Sequence, residues 1–293
     1  MLLALFAACT IPEIDDLRDV LPDNRLAIDD DAFVATEVEQ PSAYYGYTAD
    51  GVDAIDHGVG DVLDQLGQIT AFPASWVERT HTATWVPWLQ DGVWSQLWAR
   101  ADDDGATTWA IQAKADDSLT GTWLDVVAGR VEAGSDAIQS TGVLEVAMDA
   151  LAKLGMATGS GHLWATYEIR EDGATVTARV QDFSDDLWEP VDGTVRYDWD
   201  RSQGGSMEWA IAADVSEPAN GVLEDLRILS RWDAAGAGRA DALVTGGDAG
   251  PLVFSEVECW DAAHATVFHD SIITAPEGEA SSCAFGDPSE GTP

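Results

Sequence analysis

Between Thr82 and Ile272 apolar and polar residues alternate in short segments separated by turn-rich stretches. Period-two alternation places successive side chains on opposite faces of an extended chain, so this region is predicted to form about a dozen β-strands. Asp-Gly pairs at Asp91-Gly92, Asp172-Gly173 and Asp192-Gly193 divide the segments. Asp-Gly between alternating runs is a strong hairpin signal, because both residues tolerate the positive φ of a type I′ turn. Upstream, Val52, Ile55, Val59, Val62, Leu63 and Leu66 recur at spacings of three and four and predict one amphipathic helix over 51–67, ending before Pro73. The stretch Thr141 to Leu154 alternates at first and then continues with helical spacing, which predicts a strand running into a short helical turn before Gly155.

Pairing across the turns assigns faces. A two-residue loop at Asp172-Gly173 puts Leu163, Ala165, Tyr167, Ile169, Val176, Ala178 and Val180 on a dry face, with Glu168, Arg170, Thr175, Thr177 and Arg179 on a wet one. A five-residue loop at Arg201 to Gly205 sets Val195, Tyr197 and Trp199 opposite Ile211, Trp209 and Met207. The first hairpin differs. Across Asp91-Gly92, Trp85, Leu89, Trp94 and Trp98 share one face and Val86, Trp88, Val93 and Leu97 the other, so both faces are apolar. One of them calls for the helix as cover; an unfilled side would be a ligand groove or an interface.

The N-terminus carries a different signal. Leu2 to Ala8 is wholly apolar, Ala7 and Ala8 are small, and Cys9 follows directly. This arrangement resembles the lipobox of bacterial lipoproteins, with Phe6 where Leu is usual and no Lys or Arg ahead of the apolar run. The resemblance implies a signal peptide over 1–8, lipidation of Cys9, and a membrane anchor made of several acyl chains. Thr10, where an Asp would favour inner-membrane retention, points to the outer membrane. An acidic stretch over 9–50, punctuated by Pro12, Pro22 and Pro41, then reads as a tether, and 51–293 as a single domain.

Charge narrows the partners. Fifty-three acidic and 14 basic residues give a net charge of −39, which disfavours nucleic acid and anionic lipid head groups, both bound by basic patches. The acid is spread in short clusters along the chain, a pattern tolerated best where salt screens self-repulsion. Beyond Cys9 an even pair remains, Cys259 and Cys283, able to close one disulfide loop that staples the C-terminal tail to the strand carrying Cys259.

Thirteen tryptophans stand out, and Trp85, Trp94, Trp98, Trp199 and Trp209 are candidate ligand-binding residues if they line an aromatic concavity. The commoner alternative is a β core filled by large side chains. Trp109 and Trp123 also fall on apolar strand faces, while Trp164 and Trp188 occupy wet or loop positions suited to surface contacts. His57, His81, His162, His264 and His269 assemble no recognisable site by spacing, and HExxH, GxSxG, Walker A and dinucleotide patterns are absent from the sequence. Asp198, Asp200 and Ser202 alternate like the start of a calcium loop, but the glycine comes one place late and Trp209 stands where the loop needs Glu. No catalytic residue, metal or cofactor is therefore expected.

Arg231-Trp232, the Gly236, Gly238, Arg239 and Asp241 stretch, Gly246-Gly247-Asp248 and Glu258-Cys259-Trp260-Asp261 together resemble the C-terminal third of uncharacterised bacterial envelope lipoproteins, a resemblance that implies no activity. The expected architecture is mainly β, an antiparallel curved sheet or incomplete barrel with one packed helix. The expected function is a structural or protein-interaction role in the cell envelope. The alternative is a carrier for a lipid or other apolar ligand.

Overall fold

The alternation is realised as fifteen antiparallel strands in one sheet, each paired with its neighbours in sequence, so that every connection is a hairpin. The computed structural model describes residues 42–72, 74–78, 82–115, 121–135, 139–184, 190–215 and 220–287. Cys9, His81 and Trp188 lie outside them, as does the predicted signal peptide. The strands are β1 (Trp76–Glu78), β2 (Thr82–Gln90), β3 (Val93–Ala101), β4 (Thr107–Ala115), β5 (Leu124–Val131), β6 (Ser140–Ala147), β7 (Ser160–Arg170) and β8 (Gly173–Ser184). They continue as β9 (Val191–Asp200), β10 (Gly204–Ala213), β11 (Glu224–Trp232), β12 (Gly238–Gly246), β13 (Gly250–Trp260), β14 (Thr266–Ser271) and β15 (Thr274–Gly278). The outer strands β1 and β15 do not pair with each other, so the barrel is not closed.

One helical rod covers the sheet. Helix α1 (Ala43–Ile55) passes through a π turn (Asp56–Gly60) into α2 (Asp61–Thr70). The rod thus begins eight residues before the predicted Gly51 and ends three after Gly67, so residues 43–50, expected in the tether, belong to the domain. The sequence missed this start because Tyr44, Tyr45 and Thr48 lack a plain apolar period. Ser42 caps the helix, its Oγ accepting the Tyr45 amide at 3.0 Å. Glu258 of β13 accepts the Tyr44 amide at 3.0 Å, an acid at the positive end of the helix dipole. Val52, Ile55, Val59, Leu63 and Leu66 are buried in the core shared with strands β2 to β11.

The rod reaches from Tyr45, against Trp260 of β13, to Phe72, whose carbonyl accepts the Trp85 indole of β2 at 2.9 Å. Twenty-eight helical residues span about 42 Å, whereas the strands from β2 to β13 laid flat would span about 53 Å. The sheet therefore curves around its helix.

Three turns depart from the predicted register. The Asp172-Gly173 turn falls one residue earlier, on Glu171-Asp172, because Gly173 pairs with Asp200 in the ladder; a Cβ there would stand 2.2 Å from the Trp199 carbonyl. The loop after β9 holds three residues, Arg201 to Gln203, so Trp199 faces Gly205 and Tyr197 faces Met207. Both slips are by two positions in pairing and leave every residue on its predicted face. Asp192-Gly193 is no turn at all: it lies inside β9, with Ile211 packed over the glycine. Asp91-Gly92 is the predicted two-residue turn, with φ of 51° and 81°. The strand Ser140–Ala147 runs into helix α3 (Met148–Lys153) as predicted.

The inner face near the turns after β9, β11 and β13 is built by alternation across the strands. Trp199, Gly205, Trp232, Gly238 and Trp260 are consecutive partners from β9 to β13. A Cβ on Gly205 would stand 2.4 Å from Trp232, and one on Gly238 would stand 2.2 Å from Trp260. The Trp232 and Trp260 indoles thus each lie over a glycine of the neighbouring strand, which only a missing side chain permits.

Candidate functional site

The five tryptophans proposed as a ligand wall do not share a face. Pro87 has no amide for the ladder, and the β2–β3 pairing shifts by one residue between Trp85 and Trp88. That bulge turns Trp85 to the inner face with Leu97 and Ala99, where it is 3% exposed, while Trp94 and Trp98 stay on the outer face. Trp199 and Trp209 are on the inner face, Trp199 buried and Trp209 packed at the border of the core. A Cβ on Gly51 of the helix would meet Trp209 at 2.1 Å, so helix and indole are in direct contact. Trp109, Trp232 and Trp260 are at most 1% exposed on the same inner side. The inner face is filled by the chain's own helix and aromatic rings.

The sheet has two ends of opposite character. At the first, the turns after β3, β11 and β13 use one device. Asp102, Asp233 and Asp261 each donate their amide to a carbonyl four residues on and accept an amide from three residues on. The carboxylates of Asp233 and Asp261 also accept two further turn amides each. Gly105 and Gly236 take the left-handed position of this turn at φ 85° and 87°, and His264 takes it in the third at φ 65°. The strain that a side chain brings there is offset by what His264 holds: its ring stacks on Tyr45 at 3.9 Å, and its carbonyl accepts the Ser42 amide at 2.9 Å. The Trp-Asp-Ala-Ala repeat at Trp232 and Trp260 was the available sequence signal.

Asp200, part of the calcium-like run, spends its Oδ1 on the Ser202 hydroxyl and the amides of Ser202 and Gln203. These bonds, the Ser202 hydroxyl first, hold its carboxyl below the usual range. Thr108 donates to Asp102 at 2.6 Å and, with Arg100 and Arg130, does the same there. Among the described residues no group of His, Cys, Asp and Glu is placed to hold a metal.

The opposite end is apolar. Val215, Val222 and Leu223 in the β10–β11 connection, Leu252 and Val253 at the start of β13, and Ile272 and Ile273 in the β14–β15 turn are 44–80% exposed. Leu89 and Met156 extend the same rim at the turns after β2 and β6.

The outer face is interleaved charge. Arg100, Lys114, Arg130, Arg170, Arg179, Arg196, Arg227, Arg231 and Arg239, nine of the 14 basic residues, project there. Cross-strand acids meet several of them, as in Arg227–Glu208 at 2.6 Å. A groove of about 440 Å³ is floored by Ala128 and bordered by Val143, Trp164, Thr177 and Arg179. At its edge His162 Nδ1 is 3.0 Å from Glu145, and its ring lies parallel to Trp164 at 5.3 Å. Trp164 is thus a surface residue, as its wet position predicts. His269 approaches Glu256 at 2.6 Å.

Cys259 and Cys283 are within disulfide distance, their Cα atoms 5.3 Å apart. The tail they fasten lies on the outer face: Phe285 covers the Arg231 guanidinium at 5.4 Å, and Arg231 donates to the Gly286 carbonyl at 2.9 Å. Beneath it Asp241 joins Arg239 at 2.6 Å and Arg231 at 3.3 Å. Among the described residues no helix is long and apolar enough to cross a membrane. Compared with known protein families, curated proteins and solved structures, the chain matches none.

Proposed function

We propose that this chain is an exported cell-envelope lipoprotein, anchored through Cys9, whose sheet domain has a structural or protein-interaction role and no catalysis. The observation that carries the reading is the filled inner face. A carrier needs an apolar void, and here the space is taken by Val52, Ile55, Val59, Leu63 and Leu66 packed against buried indoles. What remains for recognition is surface: an interleaved outer face, and an end where large apolar side chains meet solvent. The Cys259–Cys283 pair suits an oxidising compartment. The resemblance of the N-terminus to a lipobox supplies the anchor.

Two measurements test this. Labelling with radioactive palmitate is expected in the full chain and absent from the Cys9→Ser variant; label retained in the variant removes the anchor. Solvent extraction of the purified domain followed by mass spectrometry is expected to release no stoichiometric lipid. A bound acyl chain would restore the carrier reading and require the helix to leave the inner face.

A further inference from the structure

We infer that the apolar end of β10–β15 is the docking site for an envelope protein presenting an apolar patch ringed by Lys and Arg. The inference rests on the interaction reading above and gives it a place and a partner chemistry. Ile273 is 80% exposed, Leu252 60%, Leu223 57% and Ile272 56%, on three adjacent connections at one end of the sheet. Large apolar side chains exposed together at one end of a sheet mark interaction sites.

The described parts of two of these connections are tied to each other. Glu224, 3% exposed, accepts the amides of Val215 and Asp248 at 3.0 Å each, tying the β10–β11 connection to the β12–β13 turn. Asp214 accepts the amides of Asn220 and Gly221, and Asn220 reaches Asp248. Residues tied in advance lose little conformational entropy on binding.

Charge and position select the occupant. Residues 213–215, 220–225, 246–254 and 271–275 contain Asp214, Glu224, Asp225 and Asp248 and no Lys, Arg or His. An anionic membrane surface and a second copy of this end are both repelled by that acid; a basic ring around an apolar patch complements it. Ser42 joins the sheet at His264, the opposite end of β13. Eleven residues of β13, about 36 Å of strand, therefore separate the apolar end from the point where residues 1–41 attach. The end faces away from that attachment.

The test places a photo-crosslinking amino acid at Ile273 or Leu252 of the full chain in its native envelope, with Trp98 on the outer face as the comparison position. One discrete protein is expected from the first two sites. Once purified, that protein should bind the wild-type domain in solution, at least tenfold more weakly after Ile273→Asp or Asp248→Lys, and more weakly as salt rises. Unchanged thermal melting of both variants keeps the loss from being one of folding. Adducts with lipid, adducts with a second copy, or a captured protein whose binding ignores both substitutions overturn the inference. Adducts from Trp98 alone overturn this placement and leave the interaction reading standing. No adduct from any site overturns both.

Discussion

The two ends of the sheet are made by the same topological element, the hairpin turn, and differ in where their side chains are used. At the end bearing Asp102, Asp233 and Asp261 the carboxylates of Asp233 and Asp261 close their own turns, and Trp232 and Trp260 pack just behind them over glycines. Every conspicuous residue there is occupied by the fold. At the other end the backbone is tied by Glu224 and Asp214, while the side chains of Leu223, Leu252, Ile272 and Ile273 are exposed. A conspicuous sequence motif can therefore be wholly structural, and plain aliphatic residues in turns can be the better functional candidates.

The comparison breaks most easily at the aromatic row. Trp232→Ala leaves a cavity under a fully buried indole and is expected to cost about 3–5 kcal/mol by urea denaturation. A loss below about 1 kcal/mol would mean the row is not the core of that end. Next, Cys283→Ser frees a loop with a sequence separation of 24, worth about 3–4 kcal/mol on the chain-entropy argument. The tail should then become cleavable by protease near Phe285; a melting temperature equal to wild type would show that Arg231 and Arg239 hold the tail unaided.

Asp233→Ala strands two turn amides and is expected to cost about 1–2 kcal/mol. Acid should probe two further carboxylates at the same end. Asp102 and Asp200 have carboxyls lowered in the folded state, so their contribution is present above the ordinary carboxylate pKa of about 4 and is lost as pH falls through the lowered values. Stability should drop across that acidic window, and Asp102→Asn should flatten the drop; an unchanged slope would remove Asp102 from the account. The smallest effect belongs to the apolar end. Ile273→Ser is expected to shift stability by less than about 0.5 kcal/mol, and a cost above about 1.5 kcal/mol would show that Ile273 is packed rather than presented.

Several local features were legible in advance because they depend on neighbours in sequence. Alternation marked β7 and β8 with the correct faces, and the faces survived a two-position error in the turn because strand parity has period two. The bulge at Pro87 was missed although the residue was visible, since a proline does not say whether the strand will break, shift or bulge; the shift moved Trp85 alone to the inner side. Helix α1 was started late because its first turn docks through Tyr44, Tyr45 and Thr48, whose partners Glu258, His264 and Ser230 are distant in sequence.

The sequence by itself determined the β class, the hairpin at Asp91-Gly92, the cysteine pair and the surface position of Trp164, each a consequence of local periodicity, turn chemistry or parity. Tertiary structure decided that Trp85, Trp199 and Trp209 fill space instead of lining it, and that seven aliphatic residues from three separate connections are exposed at one end. The physical reason is that periodicity states which side chains share a face. What covers that face depends on where an element far away in the chain comes to rest.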